Sequence, residues 1–258
     1  MVKGLYTAYT GLINEQNRMD ILTNNLANAS TVGFKKEGAT SQAFDEVLAY
    51  KIKDTTDPLA ARPLGGISLG VKIGETYTDF SQGSIRNTEN TYDLAISGSG
   101  FFAVEFTNKA GETTTKYTRD GSFILNKEGY LVTKDGDYVL GSNNNRIRLD
   151  PNQPSRIDQM GNIWQNNVQV ATVGVTDFED YNYLRHYGEN YYEPVDGATE
   201  RAGDYSIMSG CLEMSNISVV TEMVNMISVS RAYETNQRLV QTYDTTLETA
   251  AKQLGKVQ

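Results

Sequence analysis

The sequence predicts an α+β protein in which a mainly-β central body is inserted between long N- and C-terminal helices. Near both chain ends, apolar residues recur every seven positions, which is the period of a helical seam. Between the ends, apolar and polar residues alternate, and Asp-Gly and Glu-Gly pairs separate the short runs. Such a pattern is typical of antiparallel strands. We therefore expect a meander or a more complex β fold, with the two helices paired as a coiled-coil-like stalk.

Four segments follow from these patterns. The segment after the first helix shows weak apolar spacing, which suits either a short helix or an extended arm. The stretch 54–70 contains two prolines and three glycines, a composition for an extended linker or loop. The expected segments are 1–34 for the N-terminal helix of the stalk, 35–70 for the arm and linker, 71–208 for the β-rich body, and 209–258 for the C-terminal helix of the stalk.

The C-terminal stretch 212–254 carries the strongest helical signal. No glycine or proline interrupts it before Gly255. A helix of that extent would be about 65 Å long at roughly 1.5 Å per residue, longer than most single domains are wide. It therefore needs a partner along its length. Its seam residues are Val219, Met223, Met226, Tyr233, Val240, Leu247 and Leu254.

The N-terminal segment offers a matching seam. Its helix should begin near Lys3 or Gly4 and end around Asn28 to Thr31, where polar side chains compete for backbone hydrogen bonds. Burying one such seam does not offset the entropy lost in ordering both helices. We therefore hypothesise that the ends are frayed in the free monomer and become ordered when copies pack side by side. The seam residues here are Leu5, Leu12, Met19 and Leu26.

The central region predicts strands joined by tight turns. Residues 179–205 are rich in tyrosine and irregular in pattern, which suits either a contact surface or a loop lid over the β core. The expected strands lie at 92–96, 101–106, 123–125, 130–133, 138–140, 147–149, 163–165 and 168–178.

Composition narrows the classes of partner. The net charge is −9 and the isoelectric point is about 4.8, which argues against nucleic acid and anionic membranes. Lys35-Lys36 is the only basic doublet, and Cys211 is the only cysteine. No run approaches the roughly 20 apolar residues of a membrane span, so we expect no membrane insertion. Met1–Leu12 lacks the features of a cleaved signal peptide. Export, if it occurs, should therefore use another route.

The sequence does not predict an organised catalytic, cofactor or metal site. His186 is the only histidine, so one chain cannot form a histidine-based metal cluster, and no nucleophile elbow surrounds Ser99. Asp177, Glu179, Asp180 and Glu189 lie in or just before the tyrosine-rich stretch, and two of them could supply the carboxylates of a glycosidase-like site. Solvated acids are the commoner explanation. We therefore expect no enzyme, no cofactor and no bound metal.

Motifs in four regions resemble one known family. Residues 26–35 resemble its N-terminal signature, and segments within 215–236 resemble its C-terminal signature. Stretches 93–102 and 117–123 are similar to its body motifs, and 188–192 to a further segment. The family is that of the axial (rod and hook) proteins of the bacterial flagellum. The signature residues are Asn28, Thr31, Gly33, Phe34, Lys35, Asn216, Glu222, Arg231, Ala232, Tyr233, Glu234 and Asn236.

This resemblance implies a structural subunit rather than an enzyme. It implies export through the flagellar type III apparatus and assembly in the basal body into a helical homopolymer that transmits torque from motor to hook. Other rod and hook subunits, the export apparatus and ring proteins would be its partners. Chain length and the linker near 50–70 resemble the distal rod subunit, with a proximal rod or hook-type subunit as the alternative. A secreted β-rich hydrolase and a coiled-coil adaptor are the rivals from other classes.

Overall fold

The architecture comes from a computed structural model that describes residues 2–51, 62–108, 111–201 and 203–254. The chain divides into two units. The first comprises Met1–Leu26, Glu37–Thr78 and Val219–Gln258, and the second comprises Ala27–Lys36 and Asp79–Ser218. The predicted α+β class, with a mostly-β central body and a helix towards each end, is confirmed.

The first unit combines two long helices with two antiparallel two-stranded sheets. No helix in the described part of the chain is long and apolar enough to cross a membrane. The elements of the first unit are α1 (Val2–Ala27), β1 (Glu37–Ala43), β2 (Val47–Lys51), β3 (Arg62–Ile67), β4 (Val71–Thr78) and α2 (Val219–Leu254). Strand β1 pairs with β4, and β2 pairs with β3.

Helix α1 is joined to β1 by side-chain amides. Asn25 is fully buried, and its Nδ2 donates to the carbonyl of Glu37 at 2.7 Å. The backbone N–H of Glu37 returns a bond to Asn25 Oδ1 at 3.0 Å. About three turns earlier in α1, Asn14 Nδ2 donates to Ser41 Oγ at 3.2 Å. One face of the helix is therefore fixed by paired polar groups, as buried amides require.

Two glycines of α1 lie against α2. A Cβ at Gly4 would lie 2.5 Å from Tyr243 Oη, and one at Gly11 would lie 3.1 Å from Asn236 Nδ2. The two helices therefore run antiparallel at these points, since the contacts advance seven residues along α1 and retreat seven along α2. Glycine in a helix costs about 1 kcal/mol relative to alanine. The missing side chains leave room for this close approach.

Two expectations for residues 34–70 need correction. The helix considered for 34–50 is wrong, because β1 and β2 occupy most of that stretch. The loop expected at 54–70 is wrong for 62–67, which forms β3 in an antiparallel pair with β2. Pairing of β3 with a preceding strand is non-local, so the proline and glycine composition did not reveal it. Residues 52–61 lie outside the described part of the chain.

The second unit is built from short strands around two buried clusters. A one-turn 3₁₀ helix spans Tyr181–Tyr183. The strands are β5 (Ile85–Asn87), β6 (Leu94–Gly98), β7 (Phe101–Thr107), β8 (Thr113–Thr118), β9 (Ile124–Leu125), β10 (Leu131–Val132), β11 (Tyr138–Val139), β12 (Ser155–Ile157), β13 (Asn162–Gln165), β14 (Val168–Thr172), β15 (Val175–Phe178), β16 (Leu184–Tyr187), β17 (Tyr191–Pro194), β18 (Glu200–Arg201), β19 (Tyr205–Ser209) and β20 (Cys211–Glu213).

The largest sheet has the strand order β16-β17-β8-β7-β11-β10-β9, with β15 joined to β7 and β18 joined to β15. A separate sheet has the order β12-β13-β14, while β19 pairs with β6 and β20 with β5. One cluster is mainly aliphatic and includes Leu94, Ile163 and Ile207. The other is aromatic and includes Phe101 and Tyr192. Alternating apolar side chains on the strands supply both clusters.

Most predicted strands are present, with four differences between prediction and structure. The strand expected at 168–178 is two strands, β14 and β15, which belong to different sheets. Residues 147–149 form no strand, and Arg148 makes only an isolated bridge to Tyr130. The tyrosine-rich stretch is not irregular, because β16 and β17 form a hairpin that joins β8. Its Tyr192 is 1% exposed, so this ring belongs to the core rather than to a lid or a contact surface. The C-terminal helix begins at Val219 rather than near 212, since β20 takes the preceding residues.

Candidate functional site

The residues considered for catalysis have structural partners. His186 Nε2 lies 3.1 Å from the carbonyl oxygen of Glu189, and its ring lies edge-on to Tyr192. Ser99 occupies a bend between two glycines of positive φ, Gly98 and Gly100. Within the described residues, no group of three His, Cys, Asp or Glu side chains is arranged to hold a metal ion.

Asp177 is the buried partner of an ion pair with Arg201, whose side chain is 51% exposed. Its side chain is fully buried, Arg201 donates to Oδ2 at 2.5 Å, and Tyr181 Oη donates to Oδ1 at 2.6 Å. Burial opposes ionisation, but the bonds from Tyr181 and Arg201 outweigh it and lower the pKa of Asp177. A carboxylate held in this way stabilises the β15–β18 edge and is poorly placed to transfer protons.

A buried charge cluster lies in the second unit. The Glu213 carboxylate accepts from Lys35 Nζ at 2.6 Å and from Arg119 Nη1 at 3.1 Å. Glu213 is 0% exposed, Lys35 is 1% exposed and Arg119 is 3% exposed. The backbone N–H of Gly83 also donates to Glu213 Oε1, at 2.9 Å. We call Lys35, Arg119 and Glu213 the charge cluster.

The cations of the charge cluster also bond to backbone carbonyls. Lys35 Nζ donates to Ser81 O at 2.8 Å, and Arg119 Nη2 donates to Gly98 O at 2.9 Å. Burial lowers the pKa of Lys35, partly opposed by Glu213 and reinforced by Arg119. The cluster holds two cations and one anion, and Asp79 adds a weaker attraction to Lys35 from outside it. The cluster joins residues separated by up to 178 positions.

Signature residues surround the charge cluster. The N–H of Gly33 donates to the carbonyl of Glu213 at 2.8 Å. Phe34, which follows Gly33 in the sequence, is buried at 2% exposure. Asn216 Oδ1 accepts from the N–H of Lys36 at 2.8 Å, and its Nδ2 donates to the carbonyl of Asp79 at 2.8 Å. The structure therefore brings the end of the N-terminal signature and Asn216 of the C-terminal signature together in the second unit.

The remaining signature residues are distributed more widely. Thr31 bonds to Asn28 within the turn after α1, through N–H to carbonyl at 3.1 Å and between side chains at 3.2 Å. Glu222 is fully buried on α2. Further along α2, Arg231 and Glu234 are exposed, whereas Ala232, Tyr233 and Asn236 are half-buried.

The predicted seam residues have mixed exposure. All four on α1 are half-buried. On α2, Val219, Met223 and Leu247 are 43%, 51% and 41% exposed. The side chain of Leu254 lies outside the described residues. The half-buried seam residues are Leu5, Leu12, Met19, Leu26, Met226, Tyr233 and Val240.

Both helices carry exposed apolar stripes that the seven-residue register missed. On α2, Val220, Val224 and Ile227 are 73%, 57% and 55% exposed. Spacings of four and three residues place them on one face, beside Met223. We call these four residues the α2 stripe. On α1, an exposed stripe consists of Tyr6, Tyr9 and Ile13. A search of each helix for a second face of apolar residues would have predicted these two stripes from the sequence.

A β body inserted between long helices with exposed apolar faces is typical of a self-assembling structural subunit. Family models agree with this class. Residues 5–35 match the flagella basal body rod protein model, and 95–174 match the D1 domain of flagellar hook protein FlgE/F/G. Residues 208–254 match the C-terminal model of flagellar basal body rod FlgEFG proteins.

Curated relatives cover the chain from end to end. It is 31% identical to flagellar basal-body rod protein FlgF of Caulobacter vibrioides over 100% of both chains. It is 32% identical to flagellar basal-body rod protein FlgG of Bacillus subtilis, covering 96% of this chain and 97% of that one. It is also 30% identical to flagellar hook-basal body complex protein FlhO of Bacillus subtilis over 100% of both. The chain belongs to the flagellar basal-body rod protein family.

Proposed function

We propose that this protein is a structural subunit of the distal rod, which polymerises helically to transmit torque from the flagellar motor to the hook. Family membership supports the rod assignment, and the exposed stripes of α1 and α2 carry the polymerisation step. A single copy leaves these apolar side chains in water, whereas packing against a neighbour would bury them. The contact joins different surfaces of successive copies, because only a heterologous, non-closing contact extends a filament.

The proposed assembly uses both chain ends. The α1 and α2 seams pair as a coiled-coil-like stalk, and the stripes contact the stalks of neighbouring copies. In this assembly the stalk consists of 1–34 and 209–258, the arm of 35–70 and the body of 71–208. The body makes lateral contacts with neighbouring copies. The ends are frayed before assembly, so that copies do not polymerise early. Limited proteolysis of the dilute monomer tests this, because intact ends would contradict it.

We propose that the protein reaches the basal body by export through the flagellar type III apparatus, without a cleaved signal peptide. Other rod and hook subunits are the axial partners, and ring proteins are partners at the rod surface. The subunit needs no enzyme activity and no cofactor for this role.

Replacing Val224 and Ile227 together with aspartate should raise the concentration needed for polymerisation at least tenfold. Each residue is more than half exposed in one copy, so assembly forgoes roughly 1 kcal/mol of apolar burial per site and must also bury a charge. Sedimentation of the concentrated protein measures the polymer. The exposed polar residue Gln237, changed to aspartate on the same helix, provides a matched control that should polymerise normally.

Loss of polymer in the control as well would mean that added charge alone blocks assembly. Unchanged polymer in the double variant would remove the α2 stripe from the interface. Charged replacements of Met226 and Tyr233 test the predicted seam in the same assay. Helical content by circular dichroism should match in all variants, which separates an assembly defect from unfolding.

A proximal rod or hook-type axial subunit is the second candidate, because the chain is similar at about 30% identity to several axial proteins, FlgG, FlgF and FlhO among them. Imaging of basal bodies from a strain that lacks this protein distinguishes the two. A rod that ends before its distal part supports the distal assignment, whereas a missing proximal part supports the alternative.

The rivals from other classes have distinct tests. A coiled-coil adaptor would self-associate through residues 212–254 alone, whereas a rod subunit should lose self-association when either end is deleted. A hydrolase would lose its activity on substitution of Asp177 or Glu189. The ion pair of Asp177 with Arg201 disfavours that rival.

A further inference from the structure

The sheet β12-β13-β14 presents an open groove in the second unit with a volume of about 920 Å³. Its lining includes Arg156, Asp158, Trp164, Asn166 and Asn167. All belong to this sheet or to its turns, so the groove is built within one local structure. None of them is part of the charge cluster or of the helix stripes.

Strand register explains how the groove wall forms. Arg156 pairs with Trp164 across β12 and β13, and Trp164 pairs with Gln169 across β13 and β14. Residues directly opposite in antiparallel strands share one face. The neighbouring pair of Ile157 and Ile163 faces the other way and is buried in the aliphatic cluster. Arg156 and Trp164 therefore lie side by side at the groove and are supported from behind by the core.

The turn at the end of the groove is fixed in conformation. Asn166 and Asn167 have φ values of 50° and 62°, as in a two-residue hairpin turn with both residues left-handed. Asn166 Nδ2 donates to Gln153 Oε1 at 2.8 Å, which holds the turn against the segment before β12. Asn167 is exposed at the groove.

Three polar groups at the groove make no side-chain hydrogen bond within the described residues. They are the guanidinium of Arg156, the indole N–H of Trp164 and the amide of Asn167. Trp164 is half-buried, so part of its ring faces the groove while the rest is packed. Aromatic rings of this kind combine an apolar face with a polar edge.

The chemistry of this wall selects one class of ligand. Arg156 and Asp158 balance in charge, which disfavours a polyanion, and the polar lining disfavours a purely apolar molecule. A neutral sugar offers an apolar C–H face for an indole and hydroxyl groups for amide and guanidinium donors. We propose that the groove binds a neutral oligosaccharide, with Trp164 stacking on a ring and with Arg156 and Asn167 bonding to its hydroxyls.

Fluorescence tests the proposal directly, because Trp164 is the only tryptophan. The full chain is titrated with chitotriose and, separately, with cellotriose. We expect a saturable change in tryptophan emission with at least one of them. The variants Arg156→Ala and Asn167→Gly retain the reporter, and each should weaken binding about fivefold or more through the loss of hydrogen bonds. The variant Trp164→Phe, followed by saturation-transfer NMR, should also bind more weakly.

A matched control is available in Asn144. It is exposed and has a φ of 56°, so Asn144→Gly removes a similar turn amide away from the groove. The Asn144→Gly variant should bind the sugar as tightly as the unsubstituted protein. An absence of response to both sugars at millimolar concentration would overturn the proposal. So would equal binding by all variants, or an emission change that follows protein concentration without sugar, which would indicate a protein contact. None of these outcomes bears on polymerisation.

Discussion

Replacing Glu213 with glutamine should lower the free energy of unfolding of the second unit by about 3–5 kcal/mol. The amide keeps the size of the side chain but removes the carboxylate that bonds to both buried cations, Lys35 and Arg119, and leaves only the weaker attraction of Asp79 to Lys35. Domains are typically stable by only about 5–15 kcal/mol, so much of the margin would be lost. Urea denaturation followed by Trp164 fluorescence measures the free energy of unfolding of the second unit, because Trp164 lies in that unit.

Two control variants separate this effect from the general loss of an ion pair. Lys35→Met leaves a neutral pair of Glu213 with Arg119, so its cost should be smaller than that of Glu213→Gln. Glu105→Gln breaks a pair with Arg146, whose side chain is 44% exposed, and should cost less than about 1 kcal/mol. A Glu213→Gln protein as stable as the Glu105→Gln protein would contradict compensation by the Glu213 carboxylate.

Local patterns predicted the helices and most strands, because both depend on residues near one another in sequence. The seven-residue repeat marks α1 and α2, alternation marks β6, and a short apolar run marks β7. The start of α2 was placed too early, because a local apolar pattern does not show pairing with a distant strand. Leu212 continues the apolar spacing, yet it is 5% exposed and pairs with Arg86 in the β20–β5 ladder. Only the distant strand β5 distinguishes these conformations.

The charge cluster shows the same limit more strongly. Lys35 is half of a basic doublet in the sequence, and a doublet is normally solvated. Its burial depends on Glu213, 178 residues away, and on the carbonyl of Ser81, in the segment that precedes β5. The signature resemblance marked Gly33, Phe34 and Lys35 as important without giving a reason. The structure supplies one, because these residues contact the segment that carries Glu213 or lie directly beside it.

Replacing Gly33 with alanine should destabilise the second unit by about 3 kcal/mol or more, the second large effect that we expect. Gly33 has a φ of 69°, which alone costs an alanine about 1–2 kcal/mol. Its Cβ would also lie 2.4 Å from the backbone nitrogen of Asp120 and 2.5 Å from the carbonyl carbon of Arg119. Backbone atoms cannot rotate away, so the 33–36 segment must shift. Urea denaturation measures the loss.

Gly188 provides a closely matched control for this substitution. Its φ is 68°, and a Cβ there would meet no atom within 4 Å. Gly188→Ala therefore carries the left-handed backbone cost without the collision, and it should destabilise by about 1–2 kcal/mol. The difference between the two variants measures the close approach of Gly33 to Arg119. Equal losses would mean that the segment yields freely, and the charge cluster would then tolerate movement of Lys35. A larger loss at Gly33 supports a rigid junction.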